Sequence, residues 1–153
     1  MTTAINQTAS FQKMTSLFHR NGMSMPLSKI LTYFLLNSKQ HVSMQDVIKD
    51  LGISKSSASI DISRLEQLQI LERIIVTGVR GHFYRLANNT WSSLLQKKQA
   101  EIQLLLEISE SAEEDFASQP ASIKQLRQYL KFMQKELPLL IEKWRQFQNS
   151  LSE

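Results

Sequence analysis

The feature that most constrains the fold is a pair of helix-start signals separated by a glycine. Ser43, followed three residues later by Asp46, suits the start of a short helix, and Gly52 suits its end. Ser54 then suits the cap of a second helix that runs to about Leu68. Two short helices joined by a glycine-containing turn of about four residues describe a helix-turn-helix.

The second of these helices has one apolar face and one polar face. Ala58, Ile62 and Leu65 recur at helical spacing and predict the buried face. The opposite face carries Ser56, Ile60, Ser63 and Gln67. The exposed face of this helix is therefore expected to present small hydroxyl groups and one isoleucine.

A β-hairpin is predicted directly after the helix-turn-helix. Residues 74–76 are β-branched and too few for a helix, so they predict a strand that returns over residues 82–86. Gly78 and Gly81 permit a tight connection with Arg80 at its tip. With a third, minimal strand near residues 40–42, this pattern describes a winged helix.

Amphipathic helices flank this region. Residues from about 8 to 21 predict one helix, and Ser24, with Pro26 in the first turn, begins the central core helix. Asn88 or Asn89 is expected to begin a long C-terminal helix that Pro120 ends. A second long helix follows, and Pro138 is expected to kink or restart it.

The two long helices carry more apolar surface than one protomer covers, which predicts an oligomer interface. The fold class expected is mainly α with a small β-wing, a winged helix-turn-helix flanked by long dimerisation helices. The expected domains are an N-terminal dimerisation helix at 1–22, a DNA-binding domain at 23–90 and C-terminal dimerisation helices at 91–153.

Charge is unevenly distributed along the chain. The first 86 residues hold ten Lys and Arg against five Asp and Glu, whereas the remainder holds eight against nine. A positive half of this kind is expected where a chain meets a polyanion. A moderately basic protein with no such partner is the alternative interpretation.

The composition also argues against several classes of protein. The absence of cysteine excludes disulfides, thiolate metal sites and cysteine nucleophiles, and it is consistent with a cytoplasmic location. The three histidines are scattered, and no glycine-rich phosphate loop precedes a helix, so neither metal, cofactor nor enzymatic activity is expected. No apolar run is long enough to cross a bilayer, and the first residues predict no secretory signal.

The residues expected to contact DNA lie on the second helix and on the wing. Small polar side chains let a helix approach the major groove, Lys55 suits a phosphate or a guanine edge, and Ile60 suits a thymine methyl group. Arg80 at the hairpin tip suits a narrow minor groove. The full set is Ser54, Lys55, Ser56, Ser57, Ser59, Ile60, Ser63, Arg64, Arg80 and His82. Ordinary helix capping and a solvated helix surface are the alternative for the serines.

These residues resemble a known family. The run 53–59, the segments 63–66 and 70–73, and the wing at 78–84 resemble the winged helix of MarR-type transcription regulators. The similarity is closest to the GbsR-like branch, through the S-K-x-x-x-S pattern from Ser54 to Ser59, a wing of the form G-x-R-x-x-x-Y, and the upstream segment 22–26. It covers residues 10 to 90, and the C-terminal helices match in length and character.

The resemblance implies a homodimer held by the first helix and the last two helices. It implies a transcription regulator, expected to be a repressor, that binds a pseudo-palindromic double-stranded operator and responds to a small effector. GbsR-like proteins are associated with osmoprotectant metabolism, so Tyr84 and Trp91 are candidates for an aromatic cage around a choline-type cation. A plain aromatic core at the junction of wing and helix is the alternative.

The sequence departs from the family pattern at two places. A glycine is usual where Gln69 stands, which bears on the turn into the wing, and Gly78-Val79 replaces the aspartate that precedes the wing arginine in many members. A second function also stays open: a winged helix used as a protein-interaction module, which the apolar Ile60 on an outward face favours. An enzyme ranks third.

Overall fold

The computed structural model describes residues 4–115, 118 and 120–152. The chain divides into two compact units, Met1–Thr90 and Trp91–Glu153. The elements of the first unit are a 3-10 helix (Ile5–Gln7), helices α1 (Ala9–Arg20), α2 (Met25–Leu36), α3 (Met44–Leu51) and α4 (Lys55–Gln67), and strands β1 (Val42–Ser43), β2 (Leu71–Ile74) and β3 (Phe83–Leu86). Helices α5 (Thr90–Asp115) and α6 (Ala121–Ser150) follow. The expected fold class, mainly helical with a small three-stranded winged sheet, is confirmed.

Side-chain caps fix the helix starts where the sequence places them. Ser24 accepts the N–H of Leu27, and Ser54 accepts the N–H of Ser57, each three residues into its helix. At α3 the cap is reciprocal, because the Ser43 hydroxyl accepts the Asp46 N–H while the Asp46 carboxylate accepts the Ser43 N–H. These local bonds confirm the helix-turn-helix.

The core of the first unit lies between α2 and α4. Ile30 and Tyr33 of α2 are fully buried, and so are Ala58, Ile62 and Leu65, the predicted inward stripe of α4. The Tyr33 hydroxyl donates to the Asp50 carboxylate at 2.6 Å. Burial, and then the Asp50 carboxylate, raise the pKa of Tyr33 above its usual value. The face of α4 opposite this core is left to solvent.

The sheet has the order β1–β3–β2, and both pairs are antiparallel. Leu71 pairs with Leu86 and Ile74 with Phe83, so the first strand of the wing occupies 71–74. The predicted strand at 74–76 is therefore wrong in its position. Ile75 lies beyond the paired residues and is 96% exposed.

The earlier start of the strand follows from how α4 ends. The Ile70 N–H bonds the Leu65 carbonyl and the Gln69 N–H bonds the Glu66 carbonyl, each at 2.9 Å. This crossed pair is the Schellman motif, which requires a left-handed residue between helix and exit. Gln69 takes that conformation with φ 57°. A glutamine thus adopts the backbone geometry that glycine adopts most easily, and the chain enters β2 directly after it.

Gln69→Gly is expected to raise the free energy of unfolding by up to ~1 kcal/mol. The left-handed conformation costs a residue with a Cβ about 1–2 kcal/mol, and the greater freedom of glycine in the unfolded chain returns roughly 0.5–1 kcal/mol of this. Urea denaturation measures the difference. Ser63→Gly, at an exposed position inside α4, is the control and is expected to lower stability. A destabilised Gln69→Gly variant would contradict the strain.

The second unit is an antiparallel pair of helices. Ile102 and Leu106 of α5 form a buried cluster with Leu130, Leu137 and Ile141 of α6. Across the pair, Gln134 donates to the Gln103 carbonyl oxygen at 2.6 Å, and the Trp144 indole N–H donates to the Ser92 hydroxyl at 3.1 Å. No helix in the described part of the chain is long and apolar enough to cross a membrane.

Helix α6 continues through Pro138, so the predicted restart at this proline does not occur. Proline lacks the N–H that would bond four residues back, which removes one hydrogen bond from the ladder. Leu137 and Ile141, on either side of it, are buried in the cluster with α5. Burial of these side chains offsets the missing bond and holds the helix together.

Candidate nucleic-acid interface

Lys55 and Arg80 line one groove on the surface of the first unit. The groove has a volume of about 450 Å³ and lies between the start of α3, the start of α4 and the tip of the wing. Its lining is Ser43, Met44, Gln45, Ile48, Lys55, Val79, Arg80, Gly81, His82 and Phe83. Three of the predicted DNA-contacting residues, Lys55, Arg80 and His82, are thus brought together although 26 residues lie between the outermost two in the chain.

The wing is held against α3 by its backbone. The Met44 N–H donates to the His82 carbonyl at 3.2 Å, which joins the start of α3 to the returning arm of the wing. The Phe83 ring meets the His41 ring edge-to-face, with centroids 5.3 Å apart. At the tip, the backbone φ angles of Gly78 and Gly81 are 79° and 138°, values that residues with a Cβ rarely adopt. Arg80 therefore projects from a connection whose base is fixed.

The acids of the first unit are each hydrogen-bonded, ion-paired or buried within it. Asp46 closes the cap of α3, and Asp50 accepts the Tyr33 hydroxyl. Glu66 and Glu72 form ion pairs with arginines of the sheet, and Asp61 is buried in α4. None of the five carboxylates before residue 87 lines the groove or forms an ion pair with Lys55 or Arg80.

The cations of the first unit are mostly unpaired. Among its ten Lys and Arg, Arg73 and Arg85 form ion pairs with described residues, and the other eight do not. Lys55 and Arg80 belong to the unpaired group, and both are exposed. Unpaired cations around a groove raise the positive potential there, and no carboxylate lines this groove.

The outward face of α4 carries the remaining predicted contacts. Ser59, Ile60, Ser63 and Arg64 are exposed, outside the lining of the groove. The serines at the start of the helix bond to one another: the Ser54 hydroxyl oxygen lies 3.0 Å from those of both Ser56 and Ser57. Ser54 therefore does cap α4, and Ser54 and Ser56 remain exposed while Ser57 is half-buried.

Arg73 ties the base of the wing to α4. Its guanidinium donates to the Glu66 carboxylate at 3.4 Å and lies over the Tyr84 ring, 5.6 Å from its centroid. The Tyr84 side chain is buried, and burial raises its pKa while Arg73 partly opposes the rise. An exposed ion pair contributes ~0–1 kcal/mol, so its effect here is to position α4 against the wing.

Asp61 is a buried carboxylate on the inward side of α4, and burial raises its pKa while Arg64 partly lowers it. The folded protein therefore binds this proton more tightly than the unfolded chain does. The stability that protonated Asp61 contributes is fully present below the pKa that Asp61 has in the unfolded chain. It is lost as the pH rises through the higher pKa that Asp61 has in the folded protein.

We expect Asp61→Asn to raise the free energy of unfolding at pH 7, with an advantage that shrinks as the pH falls towards about 4. Urea denaturation at several pH values measures the effect. Asp115→Asn, at an exposed position, is the matched control and is expected to change stability little. A variant less stable than wild type at pH 7 would show that the carboxylate makes a favourable contact.

The two candidate effector residues lie in different surroundings. Tyr84 is buried in the sheet and lines a second hollow of about 450 Å³, in which Phe34 is the other aromatic residue. Trp91 belongs to the second unit and is 51% exposed. An effector site at these residues stays a prediction.

Gln45 is a site residue that sequence reasoning missed. It is exposed in the first turn of α3 and lines the groove with Lys55 and Arg80. Helical periodicity could have predicted that Gln45 lies on the face of α3 opposite the buried Val47. Its position beside the wing depends on how β1 and β3 pair, which the periodicity does not show. Among the described residues, no group of three His, Asp or Glu is arranged to hold a metal ion.

Comparison with known proteins gives two matches. A family model described as "MmpR5-like MarR family transcriptional regulator" matches residues 89–148. A solved structure titled "Crystal Structure of a transcriptional regulator" superposes with a TM-score of 0.76 at 17% sequence identity, covering 90% of this chain and 96% of that one. The family match covers 60 of the 153 residues and makes that segment similar to MarR-type transcription regulators, while the solved structure shares the fold.

The family match falls on the part of the chain where the sequence resemblance was weakest. It covers most of α5 and α6, whereas the motifs that resemble MarR-type regulators lie before residue 90. The structural likeness, at this low identity, shows the shared fold. No curated protein matches the chain. The GbsR-like branch is not among these matches.

Proposed function

We propose that this chain is a MarR-type transcription regulator, a cytoplasmic homodimer that binds a pseudo-palindromic DNA operator and represses transcription. Each α4 enters a major groove, and each Arg80 enters the neighbouring minor groove. Half-sites then lie about one helical turn apart. The observation that carries the proposal is the groove in which the unpaired Lys55 and Arg80 meet.

The electrostatics of the first unit support a polyanionic partner. Duplex DNA carries one negative charge per ~1.7 Å of its axis, and cations that neutralise phosphates release bound counterions. Eight cations of the first unit without an ion pair supply this interaction, and no carboxylate lines the groove that holds Lys55 and Arg80. The short side chains of Ser59 and Ser63 allow α4 to approach the base edges closely.

The apolar surface of the second unit supports a dimer. Large apolar side chains along one stripe of α6 are about half exposed. A monomeric protein rarely exposes an extended apolar surface, so such a stripe usually marks an interface. Its members are Leu126, Tyr129, Phe132, Leu139, Leu140 and Phe147. In α5, Leu104, Leu105 and Ile108 are similarly exposed. A symmetric contact between two copies would cover such a face.

Selection of bound sequences from a random pool of duplex DNA tests the proposal. The expected product is an inverted repeat with its half-sites about ten base pairs apart. A pool that shows no enrichment with a folded, dimeric protein would contradict operator binding. A single half-site without symmetry would contradict the dimer arrangement.

A small effector is part of the same proposal. The hollow beside Tyr84 and the exposed Trp91 are the candidate positions. A thermal-shift screen with choline-type cations addresses it, since a ligand at a hundred times its Kd stabilises the protein by ~2.7 kcal/mol. Membership of the GbsR-like branch stays a prediction. Because that branch is associated with osmoprotectants, binding of a choline-type cation in the same screen would support it.

A protein-interaction module is the second candidate. The observation that favours it is the 68% exposure of Ile60, since large apolar side chains at a surface often mark protein contacts. Titration of random duplex DNA at low and high salt separates the two functions. A DNA-binding surface gives affinity that falls steeply with salt, whereas a docking module gives little affinity even in dilute buffer.

A further inference from the structure

Ile60 is the one large apolar side chain in the exposed middle of α4. It is 68% exposed, and the neighbouring outward positions on the same face are Ser56, one turn before it, and Ser63, one turn after it. An isoleucine side chain reaches further from the backbone than a serine. Among Ser56, Ile60 and Ser63, Ile60 therefore projects furthest towards a partner.

The serines at the start of α4 are less suited to reading bases than their number indicates. The Ser54 hydroxyl accepts the Ser57 N–H at 3.1 Å and lies 3.0 Å from the hydroxyl oxygens of Ser56 and Ser57. The Ser54 hydroxyl thus caps the helix, and the Ser56 and Ser57 hydroxyls each use one hydrogen bond on it. Lys55, beside them, faces the groove with Arg80 and suits the phosphate backbone. Discrimination between bases is thus left to the middle of the helix.

Only one base offers an apolar group in the major groove. Thymine presents its 5-methyl group there, while the other bases present hydrogen-bond donors and acceptors. A solvent-exposed isoleucine gains from a contact that removes both it and the methyl group from water. The apolar character of Ile60 therefore matches thymine and no other base edge.

We infer that Ile60 reads the 5-methyl group of a thymine in each half-site and is a specificity-determining residue of α4. This inference rests on the proposed function, because it requires α4 to lie in the major groove. It adds the base that the helix recognises and the residue that recognises it.

Deoxyuridine substitution in the selected operator tests this contact. Deoxyuridine pairs as thymidine does but lacks the methyl group, so each symmetric pair of thymines is replaced in turn and the Kd of the wild-type protein is measured. Replacement at one symmetric pair is expected to raise the Kd about fourfold for each half-site and about fifteenfold for both. The other thymine positions are expected to have little effect.

The variant Ile60→Ala connects that loss to the side chain. It is expected to bind the thymine operator with the reduced affinity that wild type has for the deoxyuridine operator, and to show no further loss on the deoxyuridine operator. Ser63→Ala, one turn away on the same face, is the control that keeps the wild-type sensitivity. Both positions are exposed, so thermal unfolding of the variants is expected to match that of wild type.

Each outcome separates the inference from the proposed function. Full sensitivity to deoxyuridine in Ile60→Ala, or an operator insensitive to deoxyuridine at every thymine, overturns the inference while DNA binding stands. A folded protein that selects no DNA overturns both, and it assigns the exposed Ile60 to a protein partner instead.

Discussion

Replacing Lys55 and Arg80 by alanine together is expected to weaken binding to the selected operator by roughly two to three orders of magnitude. The change removes four cations from a dimer, and each contact with DNA contributes about 1 kcal/mol. Because these two residues line one groove and have no carboxylate partner, their charges act on the ligand without an internal ion pair to break. Fluorescence anisotropy at several salt concentrations measures the effect.

The salt dependence identifies the kind of contact. The slope of log K against log salt is expected to fall by about one for each phosphate contact that is lost. Lys13→Ala with Lys39→Ala removes the same charge from exposed positions of the first unit outside the groove, and it is expected to change both quantities much less. Equal losses in the two double variants would show that net charge alone sets the affinity. An unchanged Kd would contradict the assignment of the groove.

The helix-turn-helix was predictable because its determinants are local. Ser43 and Asp46 bond across three residues, Ser54 caps α4 in the same way, and Gly52 ends α3 in a left-handed conformation. Such bonds depend on neighbours in the chain, so their sequence signals survive folding unchanged. The inward stripe of α4 was predictable for a related reason, since helical periodicity alone selects it.

The start of the wing was predicted wrongly because the turn before it lacks the glycine that usually marks such a turn in a sequence. The turn after α4 needs a left-handed residue, and the sequence has Gln69 there instead of glycine. Without the glycine, the β-branched residues 74–76 looked like the first strand, although Leu71 begins it. Tertiary packing of Ile70 and Leu71, both buried, overrides the local preference of Gln69.

The sequence predicted the excess of positive charge in the first unit, but it did not predict which cations would remain unpaired. The count of ten basic residues against five acidic ones indicated a polyanionic partner. Which cations stay unpaired depends on contacts between distant residues, such as Arg73 with Glu66 and Tyr33 with Asp50. The meeting of Lys55 and Arg80 likewise depends on strand pairing. Long-range pairing of this kind leaves no periodic signal in the chain.

Leu140→Glu is expected to dissociate the proposed dimer, raising its dissociation constant by at least roughly a hundredfold. Leu140 lies in the exposed apolar stripe of α6, and a twofold contact would bury two new carboxylates, each at a cost of several kcal/mol. The fold of the second unit is expected to survive, because the side chain is 53% exposed and lies outside the buried cluster with α5. Sedimentation velocity measures the change.

Loss of the dimer is expected to lower the affinity for the full operator only, because a monomer still binds one half-site. Two linked α4 helices bind an inverted repeat about 10²–10⁴-fold more tightly than one, because the second contact is intramolecular. Leu140→Glu is therefore expected to lose this factor on the full operator and to bind an isolated half-site as wild type does. Asn149→Glu adds the same charge at an exposed polar position of α6 and is expected to stay dimeric. A dimeric Leu140→Glu protein would move the subunit contact away from this stripe.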